Sequence, residues 1–85
     1  MLHVENAEYL ENYKLKISFN DGKIRIVDLE NVIKNDNREI IKALQSIEVF
    51  KNFTISHHTV SWKNGLDFAP EFLKELAISV QNQTA

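Results

Sequence analysis

The side chains of this 85-residue chain that could act as acids, bases or nucleophiles are numerous but scattered. Three histidines, His3, His57 and His58, are the only groups that titrate near neutrality without help from their surroundings. Adjacent His57 and His58 point to opposite faces of a strand, and only a turn would bring them together. There is no His-x-His or HExxH spacing to prepare a metal site, so the plainer reading is two turn residues at a hairpin tip. The carboxylates Glu5, Glu8, Asp21, Asp28, Glu30, Asp67, Glu71 and Glu75 show no spacing that predicts two of them converging in a cleft, as paired acid–base chemistry requires. Asp28, expected to end a strand, reads as a cap for the turn after it. Ser18, Ser46, Ser56, Ser61 and Ser79 stand in no G-x-S-x-G setting, and Gly22 and Gly65 alone cannot build a phosphate-cradling loop. The lack of cysteine excludes disulfides, thiolate metal sites and thiol nucleophiles. The expectation is a protein with no catalytic, cofactor-binding or metal site, and so not an enzyme. A small hydrolase or metal site around His57 and His58 is kept as an alternative.

Binding residues are easier to nominate. Lys14, Lys16, Lys23 and Arg25 are expected on the polar face of one hairpin, where four cations could meet phosphates or an acidic partner. The competing reading is a solvated face partly neutralised by Glu5. No aromatic residues interleave with these cations to provide a stacking platform for single strands. Ten basic and twelve acidic residues leave a formal charge of −2, which is too balanced for a dedicated nucleic-acid binder. Hydrophobic residues at 44% and charged residues at 26% describe an ordinary globular chain with enough apolar surface to offset its ordering entropy. No apolar run is long enough for a signal peptide core or a membrane span, so a cytoplasmic location is expected.

The elements that must position these residues follow from periodicity. "LHVENAEYL" begins with partial alternation and reads as a first strand. In "NYKLKISF", Tyr13, Leu15, Ile17 and Phe19 alternate with Lys14, Lys16 and Ser18, which puts the apolar set on one sheet face. Asp21-Gly22 then reads as a two-residue hairpin turn, and "KIRIVDL" returns with Ile24 and Ile26 set against Lys23 and Arg25. A helix is expected at about residues 37–46, capped by Asp36 or Asn37, with Ile40, Leu44 and Ile47 as its apolar stripe. "NFTIS" and "TVSW" read as two short strands joined near His57-His58. A last helix at about residues 70–81 carries Phe72, Leu73, Leu76, Ala77 and Val80, with Ile78 outside the stripe. The predicted class is α+β over residues 1–85, a mostly antiparallel meander in the order β-β-β-α-β-β-α.

The stretch "VSWKNGLDFAPEFL", residues 60–73, is the joint between the last strand and the last helix. Trp62 anchors the strand end by burying a large ring. Asn64 and Gly65 tolerate the backbone angles of a reversal, and Pro70 suits the first turn of a helix. Asp67 could cap that helix, or Ala69 could occupy the cap position.

This stretch also resembles the closing signature of a small bacterial family, domain of unknown function 2442: hydrophobic–Trp–x–Asn-Gly–x–Asp–hydrophobic–Ala-Pro-Glu–x-Leu. "YKLKISFNDGKIRIVDLENVI" is similar to the family's opening hairpin and "IKALQSIEVFKNFTI" to its middle segment, so the likeness runs over about residues 4–73. Lys63 stands where a proline is common and Lys74 where a tyrosine is common. The resemblance implies a meandering sheet with a helix inserted after three strands. Some relatives continue into a helix-turn-helix domain; only a short helix follows Leu73 here. Others are encoded beside small partners in arrangements like toxin–antitoxin pairs. The functional expectation is a protein-interaction module, accessory or antitoxin-like, binding another protein and open to homo-oligomerisation through Phe72, Leu76 and Ile78. The alternative is a nucleic-acid-associated regulator using the Lys14/Lys16/Lys23/Arg25 face. No membrane partner is expected.

Overall fold

The computed structural model describes residues 1–80, with the backbone alone at Ser79 and Val80. Three strands open the chain: β1 (Val4–Tyr9), β2 (Lys14–Phe19) and β3 (Ile24–Asp28). Short helices follow: α1 (Glu30–Asn35), α2 (Glu39–Lys42) running into a 3-10 turn (Ala43–Gln45), and α3 (Ile47–Phe50). A small hairpin of β4 (Thr54–Ser56) and β5 (Thr59–Ser61) leads to α4 (Pro70–Glu75) and β6 (Ala77–Val80). One antiparallel sheet has the order β1-β2-β3-β6, and β4-β5 forms a second. The α+β class and the antiparallel meander stand as expected.

The expected alternation of β2 also stands: Tyr13, Leu15, Ile17 and Phe19 are all buried. On β3 it is inverted, and the cause lies in the turn. The loop holds three residues, Asn20, Asp21 and Gly22, because the Phe19 N–H donates to the Lys23 carbonyl at 3.0 Å and Gly22 donates back to Phe19 at 3.1 Å. Gly22 takes the left-handed conformation, φ +84°, of the glycine that completes such three-residue loops. One added loop residue slips the register by one, and a slip of one exchanges the faces of the returning strand. Ile17 therefore lies opposite Arg25, and Leu15 opposite Val27. Arg25 and Val27 face the core, while Ile24 and Ile26 join Lys14 and Lys16 on the outer face. The expected four-cation face does not form.

The turn at Trp62 repeats that design. Trp62 N–H donates to the Leu66 carbonyl at 2.9 Å, Gly65 N–H donates to Trp62 at 3.0 Å, and Gly65 has φ +94°. In both turns the residue before glycine accepts a hydrogen bond two residues on: Lys23 N–H to Asp21 Oδ1 and Leu66 N–H to Asn64 Oδ1, each 3.0 Å. "FNDGK" and "WKNGL" are one device used twice, an aromatic residue and an Asx-Gly pair setting the register of a reversal.

The helical layer departs further from expectation. The stretch Leu29–Asn35, to which the sequence reading assigns no element, forms α1 with its cap and buries Leu29 and Ile33. Asp28 Oδ1 accepts from Glu30 N–H at 3.0 Å, the cap role anticipated for it. The single helix expected over residues 37–46 is a short α2 and a 3-10 turn, and the segment after Ser46 is α3, which Ser46 caps at Val49 N–H. Arg38, not Asp36 or Asn37, holds the cap position of α2. Ile41 rather than Ile40 turns inward, beside Leu44 and Phe50. The helix expected over residues 70–81 stops at Glu75, and the chain then becomes β6, pairing with β3; residue 81 lies outside the described residues. The edge of β3 needs backbone partners, and Ile78 and Val80 are β-branched, so sheet pairing wins over helical spacing.

Non-glycine residues with positive φ sit at two turns, Asn12-Tyr13 and His57-His58. Each costs about 1–2 kcal/mol. At Tyr13 the cost is offset by burial of the ring edge-on to Phe50, and by a hydroxyl that donates to the Gln45 carbonyl. At His58 the carbonyl accepts from Val4 N–H at 2.8 Å, and its ring stacks on His3, which ties the β4–β5 tip to β1.

A β-carbon placed at Gly22 or Gly65 would meet no atom within 4 Å, so alanine there strains only the backbone. If the two turns are equivalent, Gly22→Ala and Gly65→Ala each lower unfolding free energy by about 1 kcal/mol in urea titrations with unchanged m. A cost several-fold larger at one turn would show that they are not equivalent.

Candidate functional site

The basic residues nominated from sequence are dispersed. Lys14 and Lys16 lie on the outer sheet face, Lys16 opposite Glu8, and Lys23 is exposed in the turn. Arg25 is only 5% exposed. Its guanidinium lies 5.0 Å from the Phe19 ring centroid and pairs with Asp21 at 3.1 Å. The Arg25 hydrogen bond is the main reason the Asp21 carboxyl is held below its ordinary range, with the Lys23 N–H and the Lys74 charge adding to it. Arg25 is a strut between the hairpin turn and the core and does not share the outer face with Lys14 and Lys16.

The histidines are likewise structural in their contacts. His3 and His58 stack 4.1 Å apart and nearly parallel, so their ring nitrogens do not converge on one point. His57 Nδ1 lies 3.1 Å from Ser56 Oγ. Among the described residues no group of three His, Asp or Glu side chains is placed to hold a metal ion.

A groove of about 590 Å³ runs between α1 and the segment that leads into α4. Asn31, Val32 and Asn35 of α1 line one side and Leu66 to Ala69 with Phe72 the other; buried Ile41 and the charged pair Asp36 and Arg38 complete the lining. The "WKNGLDFAP" segment is anchored at several points. Trp62 Nε1–H donates to the buried Phe50 carbonyl at 2.8 Å, and Thr59 Oγ1–H donates to the Phe68 carbonyl at 2.6 Å. Asn64 Nδ2 reaches the Ile40 carbonyl at 3.0 Å, tying the turn to α2. The backbone of Asp67 bridges to Ser61. Ala69 occupies the cap position of α4 with Pro70 in the first turn, so Asp67 does not cap the helix.

Of the residues nominated from sequence, Phe72 and Asp67 meet in this groove. Phe72 is 36% exposed and stacks on Phe68. Leu76 packs half-buried against the core, and Ile78, 56% exposed, stands apart on β6. Arg38, Val32, Ile41, Leu66 and Phe68 were not foreseen, and Asp36 was singled out only as a helix cap. Only the i to i+3 and i+4 spacing of Leu29, Val32 and Ile33 signalled α1 at all.

The Asp36–Arg38 pair in the groove lining is internally satisfied. Arg38 grips Asp36 with two bonds, Nε to Oδ1 at 3.0 Å and Nη2 to Oδ2 at 2.7 Å, and its own N–H adds a third at 2.9 Å. These bonds lower the Asp36 carboxyl from an ordinary 3.8 to about 2. Folding thus makes this group harder to protonate. Its stabilising contribution is complete above the unfolded value and is lost as pH falls through about 2. A carbon-detected NMR titration should place the Asp36 midpoint near 2, and Arg38→Gln should return it towards 3.8. An unshifted Asp36 in the wild-type chain would show that the pair does not form in solution.

Residues 4–79 match the family described as "Protein of unknown function (DUF2442)". Neither curated proteins nor solved structures give a match. The match takes in both Asx-Gly turns, the helical layer and the whole groove, and on that extent the chain belongs to the DUF2442 family.

Proposed function

We propose that the protein is a non-enzymatic interaction module that receives a segment of a partner protein in the groove between α1 and α4. The observation that carries this reading is an apolar trough, built on Val32, Ile41, Leu66 and Phe68, that is open to solvent and has a part-exposed aromatic, Phe72, on its wall. An enclosed cavity suits a metabolite, whereas an open trough with an aromatic wall suits a polypeptide that lays apolar anchors into it. Anchoring of this segment supports the same reading, because a preformed groove loses little entropy when it is filled. The setting we propose is cytoplasmic, from the lack of a long apolar run in the sequence, with the partner encoded nearby and the protein acting as its accessory or antitoxin-like companion, from the family resemblance.

The test is recovery of partners on the tagged full-length chain, treated with nuclease, beside the Phe72→Glu variant. A stoichiometric protein should survive nuclease on the wild type and fall at least about tenfold on the variant, as expected for loss of an aromatic anchor. Phe72→Glu should melt several degrees lower than wild type, because most of the ring packs on Phe68, and the comparison is made at a temperature where circular dichroism shows both chains folded. A partner that the variant retains, or a set of proteins lost on nuclease treatment, would contradict the groove reading.

A further inference from the structure

We infer that the segment received by the groove is cationic: an apolar anchor with a lysine or arginine beside it, the cation meeting the carboxylate of Asp67. This rests on the groove reading above and adds to it the charge of the partner.

Three charged groups line the groove: Asp36, Arg38 and Asp67. Arg38 and Asp36 neutralise each other in a two-pronged pair, and Asp36 stays ionised well below neutrality. The guanidinium is thereby committed and is a poor receptor for an anion. Asp67 is different. Its side chain is exposed and forms no hydrogen bond or ion pair with any of the described residues. It also lacks the helix-capping role that its position in the sequence invited, since Ala69 caps α4 without a side-chain bond. Yet its backbone is anchored on both sides, by its bridge to Ser61 and by the Thr59 hydroxyl holding the Phe68 carbonyl. A carboxylate with no structural partner on an anchored stretch of backbone, beside an apolar trough whose other charges cancel, is complementary to a cation carried on an apolar segment. The anchor fills the space over Val32, Leu66 and Phe72, and the ammonium or guanidinium reaches Asp67.

The experiment selects a random peptide library on the immobilised full-length chain and counter-selects on Phe72→Glu. The expected result is enrichment of lysine or arginine within a few residues of a bulky apolar side chain. A selected peptide should then bind Asp67→Asn about tenfold more weakly, the size of one charge-assisted hydrogen bond, and should weaken as salt rises. The Asp67→Asn melting temperature should match wild type, because the carboxylate has no partner to lose. Groove-dependent peptides without basic enrichment, or with equal affinity for Asp67→Asn, would overturn the charge assignment and leave the groove reading in place. Peptides that bind Phe72→Glu as well as wild type would overturn both.

Discussion

The tryptophan indole at position 62 is the constraint on which the rest of the molecule depends. Its ring is 5% exposed and lies among Phe50, Phe53 and Phe68, and its N–H donates to the Phe50 carbonyl at the end of α3. Burying a ring of roughly 200 Å² gives about 5 kcal/mol of gross stabilisation, against about 1 kcal/mol net for the hydrogen bond. Burial supplies the energy and the hydrogen bond fixes the orientation. Through Phe50 the cluster reaches Tyr9 and Tyr13 at the end of the sheet where β1 meets β2; through Phe68 it reaches Phe72 on the groove wall. Sheet, helices and groove are thus joined by one run of aromatic contacts. The geometry of the groove follows from the placement of Trp62.

What the sequence revealed of the fold depended on how local the determining interaction was. The alternation of β2 was legible because each residue's face is set by its immediate neighbours. The inversion of β3 was not, because it depends on whether the loop at Asn20 to Gly22 counts two residues or three, and Asp-Gly serves either length. A local motif was read correctly and its register by one residue wrongly, which moved Arg25 from the surface to the core. β6 failed for a different reason. Leu73, Leu76 and Val80 have helical spacing, but the open edge of β3 claims the segment, and that edge lies some fifty residues away in the chain.

The site was less legible than the fold. Phe72 and Asp67 were singled out, the first with Leu76 and Ile78 as an interaction surface and the second as a cap, and neither for the groove they share. The opposite wall comes from α1, whose polar sequence concealed a helix that needs tertiary packing of Leu29 and Ile33 to form. A site shared between a sequence-distant helix and a turn leaves no signature in spacing. The two faces of the sheet are also now distinct. The outer face carries Lys16 and Ile24 exposed and Lys14 and Ile26 half-buried, while the helical side carries the groove of about 590 Å³ with Leu66 to Ala69 along one wall.

The most direct measurement of the account is photocrosslinking in the native cell, with a benzophenone amino acid placed at position 72 in the groove or at position 16 on the outer sheet face. The account predicts a discrete protein adduct from position 72 and none from position 16. An adduct from position 16 alone, whether to protein or to nucleic acid, would place the working surface on the sheet and contradict the groove as the site of recognition.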